Sequence, residues 1–341
     1  MDHQIILSIC IPTINRCYYL IDTIKDTIKQ AKEAGLENLI EFCISDNNST
    51  DNTKEELLGL QKIYPNIKFK LNFFSESQGF DKNCFQVINM QEGLFTLIKG
   101  DDDYFTQGGV KRLFELIDQN PDIDYFVADY NIINTKHQFL NKMHLLRDGI
   151  ESLTVDFSNV LEARNYFNLC NRIEAFGSFI SDTFLKTEAF RNIQVDPLFY
   201  GTQYIHEYFF WKYLLSGHKL LYTSTPIMDA TGGNNSNYGG GVSRNALDIK
   251  SFAFIGNYFF GASSLNEDFI NVVNKMYKDY RFIPIDQRKA FKLQLYPALL
   301  ESKHPLAKNI LRSSKTRYLI MYAILSLFPQ KIVNYIRKIL K

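Results

Sequence analysis

Over the first 130 residues, short apolar runs alternate with segments whose apolar residues recur at helical spacing. No other feature of the chain restricts its fold as much. "LSICI" (7–11) ends at Pro12, as a buried strand does. Leu20, Ile21, Ile24, Ile28 and Ala31 then mark one helix face, with Gly35 near its stop. "LIEFCIS" (39–45) predicts a second strand, and Thr53 with Glu56 predicts a capping box opening a helix. "IKFKLNFF" (67–74), "LFTLI" (94–98) and "YFVADYNII" (125–133) predict further strands, while "KNCFQVINM" (82–90) and "VKRLFELI" (110–117) predict helices. Such alternation with short links implies an α/β sandwich around a mostly parallel sheet. Ligands of such sheets bind beyond the carboxyl ends of the strands.

The pattern weakens over 135–200 and returns as a buried helix over 205–215, "IHEYFFWKYLL". "TGGNNSNYGGGVSRN" (231–245) reads as a Gly/Asn loop with no regular element, and 250–341 as mainly helical. The organisation expected is a domain over 1–250, with halves meeting near 130, followed by a helical region over 251–341. A net charge of +1 argues against a nucleic-acid binder. Five cysteines without a CxxC pair read as reduced thiols of a cytosolic protein, and no signal peptide is evident. No apolar run reaches the roughly 18–20 residues that span a bilayer. After Glu301 there is no acidic residue, while Lys303, Lys308, Arg312, Lys315, Arg317, Lys331, Arg337, Lys338 and Lys341 follow. Among them "YLIMYAILSLF" and "IVNYIRKIL" suit helices lying on the anionic lipid of an inner leaflet. A C-terminal helix packed on the domain, its basic face solvated, is the alternative.

Two polar clusters fall just after predicted strands. Asp101, Asp102 and Asp103 follow "LFTLI". Carboxylates at a strand end provide part of a shell for Mg²⁺ or Mn²⁺, with phosphate oxygens and water completing it; a solvated acidic turn is the plainer reading. "ISDNNSTDNT" (44–53) places Asp46 at a strand end, where a carboxylate meets the polar edge of a nucleobase or simply caps a turn. An EF-hand loop, the GxGxxG fingerprint and the GxxxxGK[ST] loop are all absent.

Four motifs in order, "ICIPTINR" (9–16), "ISDNNSTDNT" (44–53), "ESQGFDKNCFQVI" (76–88) and "LIKGDDDYF" (97–105), resemble the nucleotide-sugar half of the inverting family 2 glycosyltransferases. The resemblance covers about residues 5–215, and is closest in style to the abequosyltransferase-like enzymes of bacterial surface polysaccharides. It implies a GT-A, Rossmann-like α/β fold with a helical C-terminal region, and transfer of a sugar from a UDP-, CDP- or dTDP-linked donor to a glycan or lipid-linked acceptor. By position, Pro12, Thr13, Asn15 and Arg16 would face the nucleotide, Asp46 its base with Asn47 and Ser49 near, and Gly79, Lys82 and Asn83 would border it. Asp102 matches the family's main ligand for Mg²⁺ or Mn²⁺, with Asp103 and Asp101 beside it. The family pattern is Asp-x-Asp-Asp, yet Gly100 stands at its first position, and Asn47 replaces a common acid. "HEYFFW" aligns Glu207 with the catalytic base and His206 with its neighbour, either a supporting group or the base itself. Arg244 would pair with the diphosphate. The reduced cysteines and the basic C-terminal stretches predict a cytoplasmic enzyme peripheral to the membrane, and a homodimer stays open. The rival readings are a sugar-1-phosphate nucleotidyltransferase, whose Gly-rich basic loop is missing, and a non-catalytic scaffold.

Overall fold

The computed structural model describes residues 4–191, 193–232, 242–276 and 296–301. It divides into two compact units, residues 1–237 with 255–276, and residues 238–254 with 277–341.

The first unit is built on a ten-stranded sheet. Its first half follows the alternation read from sequence: β1 (Leu7–Thr13), α1 (Cys17–Glu33), β2 (Ile40–Asp46), α2 (Thr53–Ile63), β3 (Lys68–Phe73), α3 (Phe80–Ile88) and β4 (Phe95–Ile98). β1 and β2 are buried at every position, which is why they read as continuous apolar runs rather than alternating ones. Strands β3, β2, β1 and β4 lie side by side and run parallel. α1 turns Leu20, Ile21, Ile24, Ile28 and Ala31 inward, matching the expected face.

Then come β5 (Tyr104–Phe105), α4 (Gly109–Gln119), β6 (Tyr125–Ile133), β7 (Phe139–Met143), β8 (Ser152–Asp156), α5 (Val160–Leu169) and β9 (Thr183–Lys186). β9 inserts between β4 and β6, antiparallel to both. α6 (Ile205–Leu214) leads to β10 (Lys219–Thr231), which runs parallel to β6 and bulges between Thr223 and Met228. The aromatic load of the sequence has a structural use here: Phe167, Phe176, Trp211, Phe260 and Phe269 meet ring to ring, with centroids 4.6–5.9 Å apart. This cluster packs α6 and α8 (Leu265–Met276) against α5.

In the second unit, Arg244 Nε lies 2.8 Å from Asp248 Oδ1. Both belong to α7 (Val242–Phe260), which corrects the expectation of a loop to 245. Residues four apart share a helix face, and "SRNALDIK" contains no breaker, so the helix starts earlier than the glycines suggest. A short α9 (Tyr296–Glu301) is also described. The apolar stretches "YLIMYAILSLF" and "IVNYIRKIL" lie outside the described residues, where the membrane expectation falls. No helix among the described residues is long and apolar enough to cross a membrane. The capping box is also corrected. Thr53 is the first helical residue of α2, and its N–H and hydroxyl both go to Asp51 Oδ1, at 3.1 and 2.5 Å. The Asx turn outcompetes the box because Asp51 sits two residues before the N–H it satisfies.

Candidate active site

Strands β1 and β2 end in register, Thr13 opposite Asp46, and the loops beyond them are tied together. Asn47 N–H donates to the Thr13 carbonyl (2.9 Å), and Asn83 Nδ2 donates to the same oxygen (3.3 Å). Thr13 Oγ1 donates to Asp101 Oδ2 at 2.7 Å. Asp46 accepts from Ser49 N–H and hydroxyl, and Ser49 Oγ accepts from Asn15 N–H at 2.7 Å. Asn15 Oδ1 accepts from Thr50 N–H at 2.7 Å while Asn15 itself sits at φ 53°, a left-handed conformation that asparagine tolerates. Asn47 Oδ1 accepts from Gln78 N–H (2.7 Å), drawing in the turn before Gly79, which opens α3.

The structure therefore gathers Pro12, Thr13, Asn15, Asp46, Asn47, Gly79, Asn83 and Asp101 at the carboxyl ends of β1, β2 and β4. Lys82 shares α3 with Asn83, but it is exposed where Asn83 is buried. Arg244 belongs to the second unit. Burial raises the Asp46 carboxyl above its ordinary range, with the Ser49 hydrogen bonds opposing that shift.

The three aspartates face different partners. Arg16 Nε stands 2.7 Å from Asp101 Oδ1, and its Nη2 pairs with Asp102 Oδ2. The same guanidinium lies 5.1 Å from the Tyr19 ring centre. Asp103 instead accepts from Ser181 Oγ and, at 3.4 Å, from Thr231 N–H. Beneath the turn lies Lys99, fully buried. Its ammonium donates to Thr23 Oγ1 (2.7 Å), to the Gly100 carbonyl (3.1 Å) and to the Asp103 carbonyl. Burial lowers Lys99 to about 8, with the neighbouring aspartates offsetting part of the shift. Burial raises Asp101 to about 6, against the Arg16 charge, and Asp103 to about 7, with Asp102 adding to it. Gly100 also has a physical reason. A Cβ there would fall onto the Asp103 carboxylate, 3.1 Å from Cγ, so Asp103 fills the space that a side chain at 100 would need.

Among the described residues, no group of three or more His, Cys, Asp or Glu is arranged to hold a metal. Asp101 and Asp102 fit a divalent cation in part: they are hard oxygen donors and already converge on one positive group, Arg16. Asp103, expected beside Asp102, has its carboxylate engaged by Ser181 and Thr231.

Glu207 lies in the first turn of α6 and is fully buried, its N–H bonded to the Tyr204 carbonyl at 3.0 Å. Neither carboxyl oxygen has a hydrogen-bond partner among the described residues. Burial pushes its pKa well up; the Trp211 indole, one turn on, opposes this without reaching hydrogen-bond geometry. His206 is buried too, ringed by Tyr204 and Phe210 at 5.7 and 5.5 Å. Asp182, also buried and without a hydrogen-bond partner among the described residues, has its pKa raised by burial, by Glu174 and Asp129, and then by Glu207 and Asp103. It stands next to Ser181, the partner of Asp103, and so links the Glu207 surroundings to the aspartate turn. Ser181 and Asp182 come from the stretch with no periodicity, where no local sequence signal marks them.

The family model for glycosyl transferase family 2 matches residues 8–180. The chain is 28% identical over 273 residues to the abequosyltransferase RfbV of Salmonella typhimurium, covering 79% of this chain and 80% of that one. In fold it is similar to S. aureus TarS 1-349 in complex with UDP-GlcNAc, with a TM-score of 0.60 and 15% identity, covering 87% of this chain and 80% of that one. The mannosyltransferase PcManGT from Pyrobaculum calidifontis, in complex with GDP-Man and Mn²⁺, aligns over 96% of this chain and 81% of its own at a TM-score of 0.54 and 12% identity. These two likenesses show the fold, the GT-A sandwich that the four motifs implied. With the family model spanning half of the chain, the protein belongs to glycosyl transferase family 2 and is a glycosyltransferase.

Proposed function

We propose that this glycosyltransferase moves a sugar, with inversion, from a nucleoside diphosphate to a glycan or lipid-linked acceptor during assembly of a bacterial surface polysaccharide. The observation that carries the reading is the hydrogen-bonded platform of Thr13, Asp46, Asn47, Asn83 and Asp101 at the carboxyl ends of parallel strands. Asp46 and Asn47 take the base, and Asn15 and Gly79 shape the loops around it. Arg16 and Lys82 supply positive charge toward the diphosphate.

Asp102 with Asp101 would hold a divalent Mg²⁺ or Mn²⁺, which when bound would supply positive charge for the leaving diphosphate. Asp103 shapes the turn instead, through Ser181 and Thr231. Glu207 is the general base that takes the proton from the acceptor hydroxyl as it attacks the anomeric carbon. Burial raises its pKa, and a higher pKa makes the ionised carboxylate a stronger proton acceptor. The basic segment after Glu301 holds the enzyme peripherally at the inner face of the cytoplasmic membrane.

The test is a panel of UDP-, GDP-, CDP- and dTDP-linked sugars, assayed for hydrolysis with Mn²⁺ present. One donor turned over by the native chain and not by Glu207→Gln supports the reading. Equal turnover by the two proteins removes Glu207 as the base.

A further inference from the structure

Asp81 lies on α3 between Gly79 and Asn83, yet its carboxylate points away from the nucleotide platform. Oδ2 accepts from the Gly201 N–H at 2.6 Å and from the Gln203 N–H at 3.1 Å, and Oδ1 accepts from the Ile205 N–H at 3.3 Å. These N–H groups belong to the turn that runs into α6, two residues before Glu207. The residue is 6% exposed, and burial raises its pKa against the three hydrogen bonds. The turn it holds is an unfavourable one. Gly201 sits at φ +94° and Gln203 at φ 60°, a region that side chains other than Asn and Asp seldom occupy. A three-point carboxylate anchor keeps a backbone in such a conformation where local preference would not. Phe85, on the same α3, stacks on Phe209 of α6 with ring centres 6.2 Å apart, so the two helices are packed as well as tethered.

We propose that Asp81 is a positioning residue for transfer: it ties the helix that borders the donor to the turn that aims Glu207. The inference rests on the reading of Glu207 as the base. Loss of the anchor lets the α6 entry relax while Asn83 and the β1–β2 loops stay intact. Donor binding then survives and turnover does not, since a misplacement near 1 Å costs on the order of 100-fold.

The experiment uses the full chain and the nucleotide-sugar that it hydrolyses fastest. Asp81→Asn keeps the size but removes an anionic acceptor, and Gly201→Ala strains the turn from the other side. Both are expected to lower kcat at least about 10-fold with donor KM within about 3-fold of the native value, while Asp81→Glu recovers part of kcat. In the Glu207→Gln background, Asp81→Asn is expected to add no further loss, because both act through one group. Unchanged kcat in Asp81→Asn and Gly201→Ala, a rise in KM alone, or a full independent loss in the Glu207→Gln background overturns the inference. If Asp81→Asn does not fold, Gly201→Ala carries the same comparison. Full activity of Glu207→Gln would instead overturn the base assignment, an outcome distinct from an active Asp81→Asn beside an inactive Glu207→Gln.

Discussion

Arg16 Nε lies 2.7 Å from Asp101 Oδ1, and the same guanidinium reaches Asp102. A residue from the first loop thereby sets one positive charge between the two carboxylates proposed to hold a cation. Replacing Arg16 with Met removes that charge, so Mn²⁺ should bind more tightly while the donor diphosphate binds more weakly. Titrating Mn²⁺ against thermal midpoint, with and without UDP, reads both effects. Equal Mn²⁺ affinity in native and variant protein would show that guanidinium and metal do not share the pair.

Glu207→Gln should lower turnover by about 100- to 10,000-fold, the usual contribution of a general base, with donor KM little changed. Steady-state kinetics on the best donor checks this. A loss confined to KM would place Glu207 in binding instead.

The pH dependence follows from burial. Glu207 and Asp182 both have pKa values raised on folding. The stability each contributes is complete below its unfolded pKa, near the ordinary carboxylate range, and is lost as pH rises through the folded value. Asp182→Asn should therefore raise the thermal midpoint at pH 8 relative to native, with the gain shrinking toward pH 4. Activity runs the other way. The base must be ionised, so the acid limb of the kcat profile should lie above the ordinary carboxylate range. An acid limb near pH 4 would contradict the buried Glu207.

Gly100→Ala should destabilise the protein by about 1–3 kcal/mol, the usual effect of overpacking, because the added methyl meets the Asp103 carboxylate. Chemical denaturation measures it. A variant as stable as the native protein would mean that Asp103 moves aside without penalty.

Deleting residues 308–341 should release the enzyme from anionic vesicles without changing hydrolysis of the donor in solution. Vesicle co-sedimentation at low and high salt tests this, and equal binding by the truncated chain would refute a membrane role for that segment.

The donor half was legible because β1, β2 and β4 are buried on both faces and its helices show one apolar face. Tyr125–Ile133 was readable for the same reason, and the helix at Ile205–Leu214 because it is buried on nearly all sides and reads as one apolar run. The second half was not. β9 is four residues long and enters the sheet between strands from distant parts of the chain, a placement that local pattern does not encode. β10 runs for thirteen residues but bulges at Pro226, so its alternation breaks midway. Within the site, Thr13, Asp46 and Asn83 stood in recognisable motifs. Ser181, Asp182 and Thr231 did not, since what matters about them is which aspartate or glutamate they face after folding.

The volume above Gly100 is filled by a carboxylate that departs from the backbone three residues later. The family pattern has an acid at both 100 and 103, so Asp103 does not replace the missing acid at 100, and Asp101 stands at the pattern's open position. Reinstating Asp at 100 while the Asp103 carboxylate keeps its seat against Ser181 and Thr231 would force two negative groups into one space. An acid at 100 and the present seat of Asp103 therefore exclude each other, and a chain carrying both has to send the Asp103 carboxylate elsewhere.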